Sequence, residues 1–154
     1  MSEFDNLKLK NQLCFALYAA TNAITRAYRT RLSQIGLTYP QYLVMMILWE
    51  KDGLTVKGLA DHLQIDSSTI TPLLKRLEST GFLFRQRSVT DERSVNVFLT
   101  ESGRNIQASV ADMQKGVACQ TGLPESQFVE LRSTLHQLVD NLNENQPDDV
   151  QVAA

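Results

Sequence analysis

A mainly α-helical chain with one short β-hairpin is the fold class this sequence predicts, and three observations predict it. Apolar residues recur near the 3.6-residue period through most of its length. Two short helical stretches in the middle are joined by a few residues, and the second opens on hydroxyls. Two β-prone runs parted by a charged tip follow at once. Two helices, a tight turn and a trailing hairpin make a winged helix-turn-helix, a unit that reads DNA.

The first element is a long helix over about Lys8–Leu32. Leu9, Leu13, Leu17, Ala20, Ile24, Ala27 and Leu32 recur on one face, no Gly or Pro interrupts them, and Gly36 ends the run. Thr38-Tyr39-Pro40 starts a second helix, with a hydroxyl ahead of a first-turn proline. Tyr42, Leu43, Met46, Ile47 and Trp49 fill it, and Asp52-Gly53 stops it. Thr55 caps a short third helix that buries Leu59, Ala60 and Leu63. Asp66-Ser67-Ser68 opens a fourth, which runs to about Ser79 with Ile70, Leu73, Leu74 and Leu77 on one face. Pro72 costs least close to a helix start, which supports a start at residues 66–68.

Gly81 ends that helix. Phe82–Arg87 and Ser94–Leu99 are the hairpin strands, and residues 88–93 are its tip. Thr100 caps a fifth helix through about Cys119, which Gly122-Leu123-Pro124 breaks. The last helix spans about Glu125–Asn143 and carries Phe128, Leu131, Leu135, Leu138 and Leu142.

With 154 residues, 43% of them apolar, the chain has enough material for one compact core, so residues 1–154 are expected to act as one unit. No apolar run reaches the length of about 18 residues that a membrane span requires. The acidic, polar start is unlike a secretory leader, so a cytoplasmic location with reduced thiols is expected. The net charge of −2 is uneven: residues 1–99 sum to +3 and residues 100–154 to −5. Any phosphate contacts therefore belong to the first two thirds.

Within the helix-turn-helix, Ser67, Ser68, Thr69 and Thr71 stand where a recognition helix meets base edges, and short hydroxyls there approach closely. Lys75 and Arg76, one to two turns on, suit phosphate. On the wing, Arg85, Arg87 and Arg93 carry positive charge, and a tip arginine suits a narrow minor groove. Asp91 is read as a brace that orients an arginine. A solvated cap and a solvated charged turn remain the plain alternatives for these two segments.

Cys14 and Cys119 are the only cysteines, 105 positions apart. A sensor thiol must be held as thiolate by nearby donors and be reachable by oxidant. Lys10, at i−4, is the one basic neighbour of Cys14 within a turn; Tyr18, Tyr28, Tyr39 and Tyr42 are further donor types. On residues alone, Cys14 also fits a small buried hydrophobe. Two histidines and two distant cysteines make no metal set. No cofactor is expected.

The segment Leu63–Glu78, followed by Asp91-Glu92-Arg93 and Leu99-Thr100, resembles the MarR family of dimeric transcription regulators, in its organic-hydroperoxide-sensing branch. Leu13–Ala20 is similar to that branch's sensor segment. The resemblance covers nearly the whole chain. Ser68 departs from it where glycine is common, and Ser88-Val89 depart where Asp-Pro is common; both bear on operator preference and wing shape.

The resemblance implies a homodimer formed through the N- and C-terminal helices, about residues 8–35 and 101–143, around a DNA-binding region of about residues 38–100. It implies that Tyr28 and Tyr39 hydrogen-bond the Cys14 sulfur, and that Cys14 becomes a sulfenic acid on meeting an organic hydroperoxide. It further implies that Cys119 of the other subunit then closes a disulfide, releasing double-stranded operator DNA. Fourteen helical residues span about 21 Å, so Tyr28 reaches Cys14 only from a second subunit. Two other functions remain open at this point: a regulator released by a small phenolic ligand, and a thiol peroxidase.

Overall fold

In the computed structural model, residues 4–145 are described. They fall into two compact units that divide after Val117. The first unit opens with short 3-10 turns at Asp5–Leu7 and Leu9–Asn11. The helices and strands are α1 (Leu13–Ser33), α2 (Tyr39–Glu50), α3 (Val56–Leu63), α4 (Ser67–Ser79), β1 (Leu83–Arg87), β2 (Val95–Leu99), α5 (Glu101–Asn105), α6 (Gln107–Gln120) and α7 (Glu125–Glu144). The order is the one expected. Two boundaries differ.

The first helix starts at Leu13, because Gln12 is extended at φ −89°, ψ 120°. Lys10 therefore lies outside α1 and is not one helical turn from Cys14. The helix expected from Thr100 to Cys119 is divided at Ile106, where the ladder lapses for one residue. The Thr100 cap itself forms, its Oγ1 accepting the Gly103 N–H at 3.0 Å.

Local chemistry explains the other ends. Thr38 and Gln41 form a reciprocal capping box at the start of α2. Thr55 Oγ1 accepts the Gly58 N–H at 3.0 Å, capping α3. Between α3 and α4 the chain turns at Gln64, a non-glycine residue in the left-handed region at φ 54°. Pro72 sits in the second turn of α4, deeper than a first-turn position. It leaves the Ser68 carbonyl without its usual partner, but both residues are exposed, so solvent reaches that oxygen.

The core of the first unit is built where α2, α3, α4 and the hairpin converge. Val44, Met45, Leu48, Leu59, Ile70, Leu74, Leu77, Leu83 and Val97 are all essentially inaccessible. Each such side chain contributes about 1.5–3 kcal/mol of apolar burial. The strands pair antiparallel with Leu83 opposite Leu99 and Phe84 opposite Phe98. Leu83, Val97 and Leu99 point inward, while the stacked Phe84–Phe98 pair faces outward. The α2–α3 connection extends this sheet: Val97 N–H donates to Leu54 O, and Gly53 N–H to Val97 O.

Two contacts seat α5 on the end of α2. Trp49 Nε1 donates to Gly103 O at 2.9 Å, and Arg104 pairs with Asp52 at 2.8 Å. Gly103 is required by space: a Cβ there would lie 2.0 Å from the Phe82 carbonyl oxygen. The first half of α1 is different. Leu13, Phe15, Tyr18 and Ile24 are exposed, and only Leu32 of that helix is buried. In the second unit, α7 buries no residue, and Val129, Leu131, Val139 and Leu142 are exposed.

Candidate functional site

The fold gathers two of the predicted clusters and leaves one pair apart. The first cluster lies where the N-termini of α3 and α4 meet the hairpin. A groove of about 370 Å³ is lined by Thr55, Val56, Lys57, Ser67, Thr71, Arg85, Arg93, Ser94 and Val95. Ser67, Ser68 and Thr69 are exposed on the first turn of α4, and Lys75 and Arg76 are exposed further along it. Thr71 donates its hydroxyl to Ser67 O at 2.8 Å, so its proton stays inside the helix while its oxygen still accepts. Lys57 is an addition. Nothing in its local sequence marks it, and only the fold places it in the same groove as Arg93.

On the wing, Arg87 and Arg93 are exposed. Arg85 lines the groove, yet gives Nε and Nη2 to Glu78 Oε2 at 3.0 and 2.7 Å. Its guanidinium is thus drawn back onto α4. The same hydrogen bonds hold the Glu78 carboxyl below the ordinary carboxylate value. Asp91 does brace an arginine, but through the backbone: its Oδ1 accepts the Arg93 N–H at 3.0 Å. Ser88 shapes the tip as an aspartate would, its Oγ accepting the N–H groups of Thr90 and Asp91 at 3.3 Å.

The second cluster is a trio of phenols. Tyr28 from α1 meets Tyr39 and Tyr42 from the start of α2, each ring centroid 5.3 Å from that of Tyr28. Tyr39 and Tyr42 lie 5.9 Å apart. Tyr42 is buried, whereas Tyr28 and Tyr39 are half-buried. Burial, then the neighbouring Tyr28, pushes the Tyr39 hydroxyl upward from its ordinary value. Burial pushes Tyr42 up strongly as well, helped by the neighbouring Tyr28 and Tyr39.

Cys14 does not join the phenols of its own chain. It is exposed near the start of α1, and Tyr28 lies on that same unbroken helix about 21 Å along the axis. Cys119 is exposed one residue before the end of α6. Among the described residues no group of His, Cys, Asp and Glu is arranged to hold a metal, and no helix is long and apolar enough to cross a membrane.

Known proteins share this architecture. The family model described as transcriptional regulator SarA/Rot matches residues 26–110. The organic hydroperoxide resistance transcriptional regulator of Bacillus subtilis is 41% identical over 146 residues, spanning 93% of this chain and 97% of its own. Reduced AbfR bound to DNA superposes with a TM-score of 0.79 at 32% identity, covering 93% of this chain and 98% of that one. Disulfide-formed AbfR superposes with a TM-score of 0.64 at 33% identity, covering 91% and 93%; AbfR is a Staphylococcus epidermidis protein. These relatives are regulators, not enzymes, which sets the thiol peroxidase aside. The chain belongs to the MarR and SarA type of winged-helix transcription regulators, in the branch of the organic hydroperoxide resistance regulators.

Proposed function

We propose that this regulator is a homodimeric, redox-sensing repressor that holds double-stranded operator DNA while Cys14 is reduced and releases it when an organic hydroperoxide oxidises that thiol. The observation that carries the proposal is the separation just described. Two thiol-activating phenols stand together, while the thiol they would serve lies far along the same helix. A second subunit supplies the missing geometry. Its α1, running antiparallel, brings its own Cys14 toward the first chain's phenols. The exposed Leu13, Phe15, Tyr18 and Ile24 give that pairing an apolar surface, and the exposed face of α7 gives it another.

The chemistry balances in two steps. The Cys14 thiolate attacks the terminal peroxide oxygen, the O–O bond breaks, and the leaving alkoxide takes a proton to become the alcohol. Sulfur is oxidised by two electrons to sulfenic acid as the peroxide is reduced. The thiol of Cys119 from the other subunit then attacks that sulfur, forming the disulfide and expelling water. Movement of the dimer helices would carry the two recognition helices, α4 of each subunit, away from the separation of about 34–36 Å that successive major grooves require. AbfR has been captured both reduced on DNA and disulfide-formed, which supports a cycle of this kind.

In this reading Ser67, Ser68, Thr69 and Thr71 face base edges, Lys57, Lys75 and Arg76 face phosphate, and Arg87 and Arg93 follow the minor groove. Such a protein works in the cytoplasm. A repressor released by a small phenolic ligand in the dimer cleft is the second reading; the similarity to AbfR, captured both reduced on DNA and disulfide-formed, favours the thiol.

The test treats the protein with substoichiometric cumene hydroperoxide, then runs a non-reducing gel beside an operator-binding assay. A crosslinked dimer with lost binding is expected. Cys14→Ser should bind DNA normally and ignore the peroxide; a Cys14→Ser protein that still lets go defeats the mechanism.

A further inference from the structure

Building on the sensing reading, on which the inference rests, we infer that Asp52 and Arg104 are positioning residues. Their ion pair joins the DNA-reading elements to α5 and α6, so that a change at the thiols reaches α4 and the wing.

Asp52 stands just past the end of α2, and its carboxylate serves more than that helix end. Oδ1 accepts the N–H of Gly53 at 3.0 Å and that of Leu99, the last residue of β2, at 2.9 Å. Oδ2 accepts from Arg104 Nη2, on α5, at 2.8 Å. An aspartate that only closed the turn after α2 would need the Gly53 contact alone. The other two bonds reach residues 47 and 52 positions further along the chain.

Contacts on either side make α5 move with the reading elements. Trp49 Nε1 donates to Gly103 O at 2.9 Å. Thr100, the cap of α5, donates its hydroxyl to Gly81 O at 2.6 Å and its N–H to Phe82 O at 3.1 Å. Gly81 and Phe82 form the turn between α4 and β1, so this end of α5 is tied to α4 as well. Beyond α5 the ladder lapses at Ile106, and α6 follows, bearing Cys119.

Both halves of the proposed sensor therefore lead to one carboxylate. Tyr39 and Tyr42 occupy the first turn of α2, and Trp49 and Asp52 stand at and just past its last turn. A displacement of the phenols travels along that one helix, and a pull on Cys119 travels along α6 toward α5. Either one loads the Asp52–Arg104 contact, and Asp52 hands the load to β2 through the Leu99 N–H. Arg104 is more than half exposed, so the pair adds little to the stability of the fold. Its effect lies in which elements move together.

The test uses the full-length protein and operator DNA selected in vitro with the reduced wild type. Affinity is measured for reduced protein and for protein crosslinked by cumene hydroperoxide, and the readout is the ratio of the two. Arg104→Gln is expected to melt close to wild type and to crosslink equally, yet to shrink that ratio about fivefold. An exposed pair is worth about a twofold factor, and a dimer holds two of them. Asp52→Asn, which keeps an oxygen for the Leu99 and Gly53 N–H groups, should shrink the ratio as far, and the double variant no further. The salt slope of the reduced protein should stay at its wild-type value, because Arg104 meets a carboxylate and not a phosphate. An Arg104→Gln ratio within about twofold of wild type makes the pair a structural contact only, which overturns the inference and leaves the sensor standing. Additive losses in the double variant overturn it too, since the two residues then act separately. A salt slope reduced by about one puts Arg104 on phosphate, with the same consequence. A wild type that keeps its operator once crosslinked overturns the sensing reading, and the inference with it.

Discussion

Glu78 on α4 and Arg85 on β1 are joined three times. Glu78 Oε2 accepts from Arg85 Nε at 3.0 Å and from Nη2 at 2.7 Å, while Oε1 accepts the Arg85 backbone N–H at 3.0 Å. This clasp fixes the hairpin against α4, so the residues proposed to meet base edges and the minor groove share one rigid frame.

Breaking the clasp should be cheap for the fold and costly for DNA. Arg85→Ala is expected to lower stability by about 0.5–1 kcal/mol, the range of a partly exposed ion pair. Operator affinity should fall more than stability does, because the wing loses its fixed angle. Denaturant melts beside binding isotherms check this, and equal small losses in both would count against the clasp.

The same contact predicts a pH dependence. The folded Glu78 carboxyl lies below its ordinary value of 4.5, so its contribution is present above that pH and lost as pH falls through the lower folded value. Unfolding curves should show stability declining with acid below about pH 4.5, with a smaller slope in Glu78→Gln. Identical acid slopes would contradict the assignment.

At the groove, Lys57→Ala should weaken binding to operator and to unrelated DNA alike, and reduce the salt slope by about one. Ser68→Gly should instead change which operator is preferred. Fluorescence anisotropy on two sequences at several salt concentrations separates the two effects.

Two glycine exchanges should act in opposite directions. Gln64→Gly relieves left-handed strain at φ 54° and is expected to stabilise by up to about 1 kcal/mol. Gly103→Ala forces a Cβ against the Phe82 carbonyl and should cost at least about 3 kcal/mol. Thermal melting of both variants tests the pair.

The phenol cluster should titrate late. Tyr39 and Tyr42 sit above their ordinary value of 10.0, so the stability they lend is complete below pH 10 and is lost as pH rises through the higher folded values. Phenolate absorbance at about pH 10.5 should be missing part of the tyrosine signal until the protein unfolds. A full signal from the folded protein would rule this out.

Order and type of the elements were legible in the sequence because each rests on local chemistry: the cap at Thr55, the stop at Gly81, the alternation through Val95–Leu99. The lapse at Ile106 was not legible, since nothing in residues 100–119 alone distinguishes one helix from two. The 3-10 turns before Leu13, which take Lys10 out of reach of Cys14 along the helix, were hidden in the same way.

The sequence by itself determined that the chain carries a reading helix, a charged wing, two thiols and four tyrosines, because residue type and period are local properties. Only the tertiary structure decided which of these meet. It drew Arg85 onto Glu78, put Lys57 and Arg93 in one groove, and packed Tyr42 against Tyr28 and Tyr39. Contacts between elements depend on how apolar faces seat against one another, and one continuous helix cannot bring residues fourteen apart together.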